Sequence, residues 1–237
     1  MGQAVTDLIR LTDLAIARDT RAVLAGASLA LAPGERLAIV GANGAGKTTL
    51  LRAIVGLERA QAGEVALFGT PAVREADFRA ARPRIGFLFQ DSDDQLFCPS
   101  VLEDVAFGPL NAGLNAAEAN ARAAATLDSL GIAHLAARFT HRLSGGEKRL
   151  VCLAGLLAME PDVLLLDEPT NGIDTANSAR LAAALDAYQG AMILVSHDDA
   201  FVAAFATRAM ILAEGRLVPG EIHDHAHLHS HPHIHPA

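Results

Sequence analysis

The sequence has no tryptophan and a single tyrosine, and aromatic residues make up only 4% of it. So few rings argue against a stacking platform for single-stranded nucleic acid. Positive charge is also short: 19 lysines and arginines face 27 acids, a net charge of −8 with histidine neutral. That balance excludes non-specific nucleic-acid binding as the main task. Cysteine is limited to Cys98 and Cys152, outside any Cys-x-x-Cys arrangement. A disulfide scaffold is thereby excluded, and a reducing compartment is expected. No uncharged apolar stretch approaches the ~20 residues of a membrane-spanning helix. Residues 1–10 lack the basic start and apolar core of a secretory signal. Any work at a membrane is therefore expected to run through docking to another protein.

What is present is length and pattern. Of the 237 residues 51% are hydrophobic, and a chain of this size buries about 70% of its unfolded surface as one compact unit. Short apolar and alternating runs predict strands over 8–17, 23–31, 36–40, 63–68 and 85–89, with a helix over 48–57. The stretch 99–159 turns helical, with helices expected over 116–130 and 145–159. Beyond Pro161, strands over 163–166, 191–195 and 210–213 alternate with helices over 174–188 and 199–207. The pattern predicts an α/β domain over residues 1–222, with an antiparallel β region first, a mostly parallel sheet as core and a helical subdomain inserted at about 99–159. Residues 223–237 are low in complexity and expected to be disordered.

Lysine is nearly absent: Lys47 and Lys148 are the only two. The first lies in Gly41-Ala42-Asn43-Gly44-Ala45-Gly46-Lys47-Thr48, a GxxxxGK[ST] loop between an expected strand and an expected helix. Glycines let backbone N–H groups curl around an anion, and the helix N-terminus adds positive potential. Lys47 can reach the β- and γ-phosphates of a nucleoside triphosphate, and the Thr48 hydroxyl can ligate Mg²⁺; Thr49 follows in the same turn. A second constellation is the apolar run Val163-Leu164-Leu165-Leu166 ending in Asp167-Glu168. Asp167 suits the Mg²⁺ shell, and Glu168 is placed to orient or deprotonate water for attack on the γ-phosphate.

Four further motifs accompany these. Leu143-Ser144-Gly145-Gly146-Glu147 resembles the signature sequence of the ATP-binding-cassette (ABC) ATPases, and Lys148 and Arg149 follow it directly. Gln90 matches the glutamine of that family's Q-loop, Asn171-Gly172-Ile173-Asp174 its D-loop, and His197 its switch histidine. The resemblance covers about residues 5–220 and implies a P-loop NTPase fold with a RecA-like parallel core. It implies that Ser144, Gly145, Gly146 and Glu147 of one subunit cover the γ-phosphate held by a second, in a head-to-tail homodimer sandwiching two ATP molecules. His197 would contact the γ-phosphate, Gln90 the Mg²⁺ and the water, and Asp174 the other subunit. Two positions depart from the common pattern. Arg18 stands where an aromatic usually stacks on adenine; it either stacks its guanidinium there or is a surface arginine with adenine held otherwise. Glu147 stands where many members have glutamine.

The stretch from Phe89 to Phe97, with Gln95 as a second glutamine, and then Glu103-Asp104-Val105-Ala106-Phe107-Gly108-Pro109, resembles the cobalt, nickel and vitamin importers of the energy-coupling-factor type. In those, the segment meets a transmembrane coupling subunit, and substrate-binding membrane subunits complete the assembly. Val101, Val105 and Phe107 are expected to form an apolar docking surface. The tail carries His223, His225, His227, His229, His231, His233 and His235 at alternate positions. Imidazoles at this density suit Ni²⁺ or Co²⁺, either to handle the transported metal or as a passive appendage. The resulting expectation is the ATPase of a cobalt or nickel importer, peripheral on the cytoplasmic face of the membrane. The alternatives are a vitamin importer of the same type or a soluble ABC ATPase without a transport role.

Overall fold

The computed structural model describes residues 6–19 and 21–222. Strands β1 (Ile9–Arg18), β2 (Arg21–Leu31) and β3 (Arg36–Val40) come first, followed by helix α1 (Lys47–Ile54), β4 (Ala62–Leu67) and the short β5 (Thr70–Pro71). Helix α2 (Glu75–Ala81) leads into β6 (Ile85–Leu88). Three helices come next, α3 (Val101–Asn111), α4 (Ala116–Ser129) and α5 (Gly145–Leu157). The chain then alternates through β7 (Val163–Asp167), α6 (Thr175–Ala187), β8 (Ala191–Val195), α7 (Asp199–Phe205), β9 (Arg208–Ala213) and β10 (Arg216–Gly220).

Two sheets result. The first has the order β2-β1-β4-β5, with antiparallel pairing in which Ile9 faces Leu31 on one side and Leu67 on the other. The second has the order β10-β9-β3-β8-β7-β6 and is parallel except for the β9–β10 pair. Its central strands are apolar on both faces, as parallel strands covered on two sides must be. Because side chains alternate, each strand feeds two cores. Leu37, Ile39, Val163, Leu165, Ile193 and Val195 pack toward the antiparallel sheet and α1. Ala38, Leu164, Leu166, Met192 and Leu194 pack toward the helices α3 to α7.

This is the ABC-type P-loop architecture that the motifs imply, and most expected elements stand within a few residues of their places. Four elements lie outside the expectation: β5, α2, α3 and β10. Helix α3 corrects the reading of the docking segment. Val101 and Val105 lie four residues apart on one helical face, and both are fully buried in the helical core. Phe107, on the opposite flank, is 43% exposed and meets Phe97 edge to face at 4.6 Å between ring centroids. The apolar surface there consists of Phe97, Phe107 and Leu110.

Candidate nucleotide site

The N-terminus of α1 and the C-terminal ends of β7 and β8 border a cavity of about 990 Å³. Ligands of open parallel sheets bind beyond the carboxyl ends of the strands. The cavity exists because of how α1 begins. Its cap is Gly46, with φ 106°, and no side chain accepts from the first turn. A Cβ at Gly46 would lie 2.8 Å from the Val23 side chain, in a backbone conformation that L-residues rarely adopt. The first-turn N–H groups are thus left for an anion. Asn43, Gly44, Ala45, Gly46, Lys47, Thr48 and Thr49 line the cavity, while the carbonyls of Gly41 and Ala42 accept from Lys47 Nζ at 2.7 and 3.1 Å. Burial lowers the pKa of Lys47, and the charges of Glu168 and Asp167 oppose that shift.

Facing the loop, Asp167 ends β7 with both carboxylate oxygens buried and without a hydrogen-bond partner. Burial pushes its carboxyl up, against the opposing influence of Thr48, Lys47 and Arg149. A buried, orphaned carboxylate is costly unless a cation completes it, and oxygen donors from Asp167, Thr48 and Gln90 fit a hard divalent ion such as Mg²⁺. Glu168, one residue on, takes a positive φ of 49°. Its Oε2 accepts from the His197 N–H at 3.2 Å, and His197 Nε2 lies 3.0 Å from Oε1. The main-chain N–H thereby holds one carboxylate oxygen, while Oε1 is buried without a hydrogen-bond partner, at the cavity wall that Gln90 also lines. Arg18 lies at the mouth of the same cavity, where its Nη2 donates to Glu58 Oε2 at 2.7 Å.

The signature residues lie elsewhere. Ser144, Glu147 and Asp174 line a separate cleft of about 470 Å³ with Arg138, Arg142 and Arg180. Ser144 caps α5 in a reciprocal box: Glu147 N–H donates to Ser144 Oγ at 3.3 Å, and Ser144 N–H donates to Glu147 Oε2 at 2.7 Å. A Cβ at Gly145 would meet only the Gly172 carbonyl oxygen, at 3.9 Å, whereas a Cβ at Gly146 would press within 2.9 Å of Asn177 Nδ2. Asp174 caps α6, accepting from the Asn177 N–H and Nδ2 at 3.0 and 2.7 Å. Within one chain, therefore, the phosphate loop and the signature residues face different spaces.

Several contacts were not legible from the motifs. The buried Arg149 guanidinium donates to the carbonyls of Phe89, of Gln90 at 2.7 Å and of Glu168 at 3.3 Å. Next to it, Lys148 pairs with Asp93. The first turns of α5 thus hold the loop that carries Gln90. Gln95 ties the same loop to β6: its Nε2 donates to the Phe87 carbonyl at 3.2 Å, and its Oε1 accepts from the Phe89 N–H at 3.3 Å. Neither Glu58 nor Arg138 belongs to a local motif. The seven tail histidines lie outside the described residues; among the described residues no cluster of metal-binding side chains occurs, and no helix is long and apolar enough to cross a membrane.

Comparison with known proteins agrees with the geometry. Residues 24–171 match the ABC transporter family. A Brucella suis protein, provisionally named an ABC transporter ATP-binding protein, is 53% identical over 92% of this chain and 91% of its own. The cobalt import ATP-binding protein CbiO of Rhodobacter capsulatus is 48% identical over 81% of this chain and 70% of its own. The structure of cbiO1 from Clostridium perfringens, described as part of the ABC transporter complex cbiONQ, superposes with a TM-score of 0.79 at 33% identity, covering 90% of this chain and 87% of that one. With this fold, these motifs and these relatives, the chain belongs to the ABC transporter family as an ATP-binding subunit.

Proposed function

We propose that this chain is the ATP-hydrolysing subunit of a membrane importer for cobalt or nickel, working as a head-to-tail homodimer. The observation that carries the catalytic part is the orphaned Asp167 carboxylate beside Lys47 and Thr48, with Glu168 fixed by His197 in the same cavity. The metal specificity is supported by the cobalt importer among its relatives.

In this reading Lys47 and the backbone N–H groups of residues 43–48 hold the β- and γ-phosphates. Asp167, Thr48 and Gln90 would hold Mg²⁺, which when bound draws charge from the phosphoryl oxygens. Glu168 accepts a proton from water as its oxygen bonds to the γ-phosphorus, and the bond to the β-phosphate oxygen breaks to release ADP and phosphate. His197 keeps the Glu168 carboxylate oriented and faces the γ-phosphate, and Arg18 offers a guanidinium plane at the adenine end. Ser144, Gly145, Gly146 and Glu147 of the second copy close over the nucleotide, with Asp174 bridging the subunits. Closure on ATP and opening after hydrolysis would move a transmembrane coupling subunit seated on Phe97, Phe107 and Leu110. Substrate-binding membrane subunits would select the metal, and the tail histidines 223–235 would gather it.

The test uses cells carrying the full set of importer subunits and radiolabelled Co²⁺ or Ni²⁺. Glu168→Gln should abolish uptake and lower turnover of the purified protein by about 10²–10⁴-fold, while ATP binding persists. Ending the chain at residue 222 should reduce uptake at low metal concentration without changing ATP turnover. Undiminished hydrolysis in Glu168→Gln removes Glu168 from the mechanism, and normal ATPase activity without metal uptake in the unaltered system refutes the cargo.

A further inference from the structure

The cleft at the start of α5 contains a charge that a phosphate-receiving surface should not tolerate alone. Glu147 lies in the first turn, its Oε2 held by the Ser144 N–H at 2.7 Å, so its carboxylate cannot swing away from the serine without losing the cap. These hydrogen bonds, with Arg138, hold its carboxyl below the usual range, and it is ionised at neutral pH. A fixed anion beside Ser144 opposes the approach of a second anion by Coulomb repulsion, which acts strongly at short range in a partly desolvated interface.

The structure answers that charge from outside the helix. Arg138 Nη1 donates to the other carboxylate oxygen, Glu147 Oε1, at 2.8 Å, and its Nη2 donates to the Arg142 carbonyl at 3.1 Å. The second contact ties the guanidinium to the segment that runs directly into Ser144. Arg138 is 45% exposed at its side chain and Glu147 22%, so the carboxylate is the more sheltered member of an exposed pair. Arg142, Arg180 and the Asp174 carboxylate line the same cleft, and Arg138 is the cation in direct contact with Glu147.

We propose that Arg138 is a positioning and charge-compensating residue of the nucleotide sandwich: by pairing with Glu147 it allows the Ser144 surface of one copy to receive the γ-phosphate held by the other. The role rests on the dimer reading above. Arg138 acts through Glu147 and does not itself touch the nucleotide.

The experiment places all variants in the hydrolysis-blocked Glu168→Gln chain and measures, by analytical ultracentrifugation, the MgATP concentration that gives half-maximal dimerisation. Arg138→Ala should raise that concentration about tenfold, the effect of about 1.4 kcal/mol of uncompensated charge. Adding Glu147→Gln, which keeps the cap but removes the charge, should restore it to within about twofold of the parent. Filter binding of ATP to the monomer should be equal in all three. Arg138→Ala dimerising at the parent's ATP concentration overturns the pairing. So does a double variant as poor as Arg138→Ala, because Arg138 would then act on the nucleotide or on the loop directly. A parent that remains monomeric at saturating MgATP overturns the dimer itself, and the pairing with it.

Discussion

Arg149 is 3% exposed yet carries a charge, and its hydrogen bonds go to main-chain carbonyls at Phe89, Gln90 and Glu168. One side chain therefore fixes the backbone on both sides of the candidate nucleotide cavity, behind Gln90 and behind Glu168. Arg149→Met removes the donors and strands the acceptors, which should cost about 3 kcal/mol and lower Tm by roughly 6–12 °C. Thermal unfolding followed by circular dichroism reads this directly, and an unchanged Tm would show that water replaces the guanidinium. At this scale legibility depended on whether partners are local. Lys47, Thr48 and Asp167 could be assigned in the sequence because anion and cation chemistry constrain residues within one turn or at one strand end. Arg149 reaches partners 60, 59 and 19 positions away, and no short-range spacing records them.

Helices α3, α5 and α6 each begin on a side-chain cap involving a carboxylate: Glu103 with Ser100, Glu147 with Ser144, and Asp174 with Asn177. Each carboxyl is held below its usual range, by the Ser100 hydroxyl for Glu103 and by backbone N–H groups for Glu147 and Asp174. A depressed carboxyl contributes stability above its unfolded value of about 4 and loses it as pH falls through the lower folded value. Glu103→Gln should thus lower Tm at pH 7, and the difference from the parent should shrink progressively as pH falls below about 4; a difference that does not change with pH would assign the effect to packing. Elements were legible where periodicity ran uninterrupted, as in β3 and β8, whose observed bounds match the expected ones. Helix α3 escaped because Gly108-Pro109 reads as a break. The structure tolerates the pair near the helix end, where a Cβ on Gly108 would collide with Met159 Sδ at 2.5 Å. Strand β10 escaped because it contains Pro219, which is accommodated because β10 is an edge strand.

For the whole molecule, the exposed ring pair Phe97–Phe107 and Leu110 form an apolar area on an otherwise acidic protein. On the reading proposed above, this is where a transmembrane partner would dock. Phe107→Asp should leave ATP turnover and Tm of the isolated chain nearly unchanged while abolishing co-purification with the transmembrane coupling subunit; retained co-purification would move the docking site elsewhere. The sequence reading counts Val101 and Val105 with Phe107 as surface residues, although both are buried, because the inward face of α3 cannot be told from its outward face while the helix itself goes unread.

Strand β6 is the last of the parallel sheet, and the outer side of such a strand ordinarily offers a template on which a foreign chain can extend the ladder. Here the carboxamide of Gln95 occupies that side, serving the Phe87 carbonyl and the Phe89 N–H as a neighbouring strand would. The loop that carries Gln90 thereby also plugs part of an open sheet edge, and a crowded solution of this protein has one ready route to fibrous growth fewer.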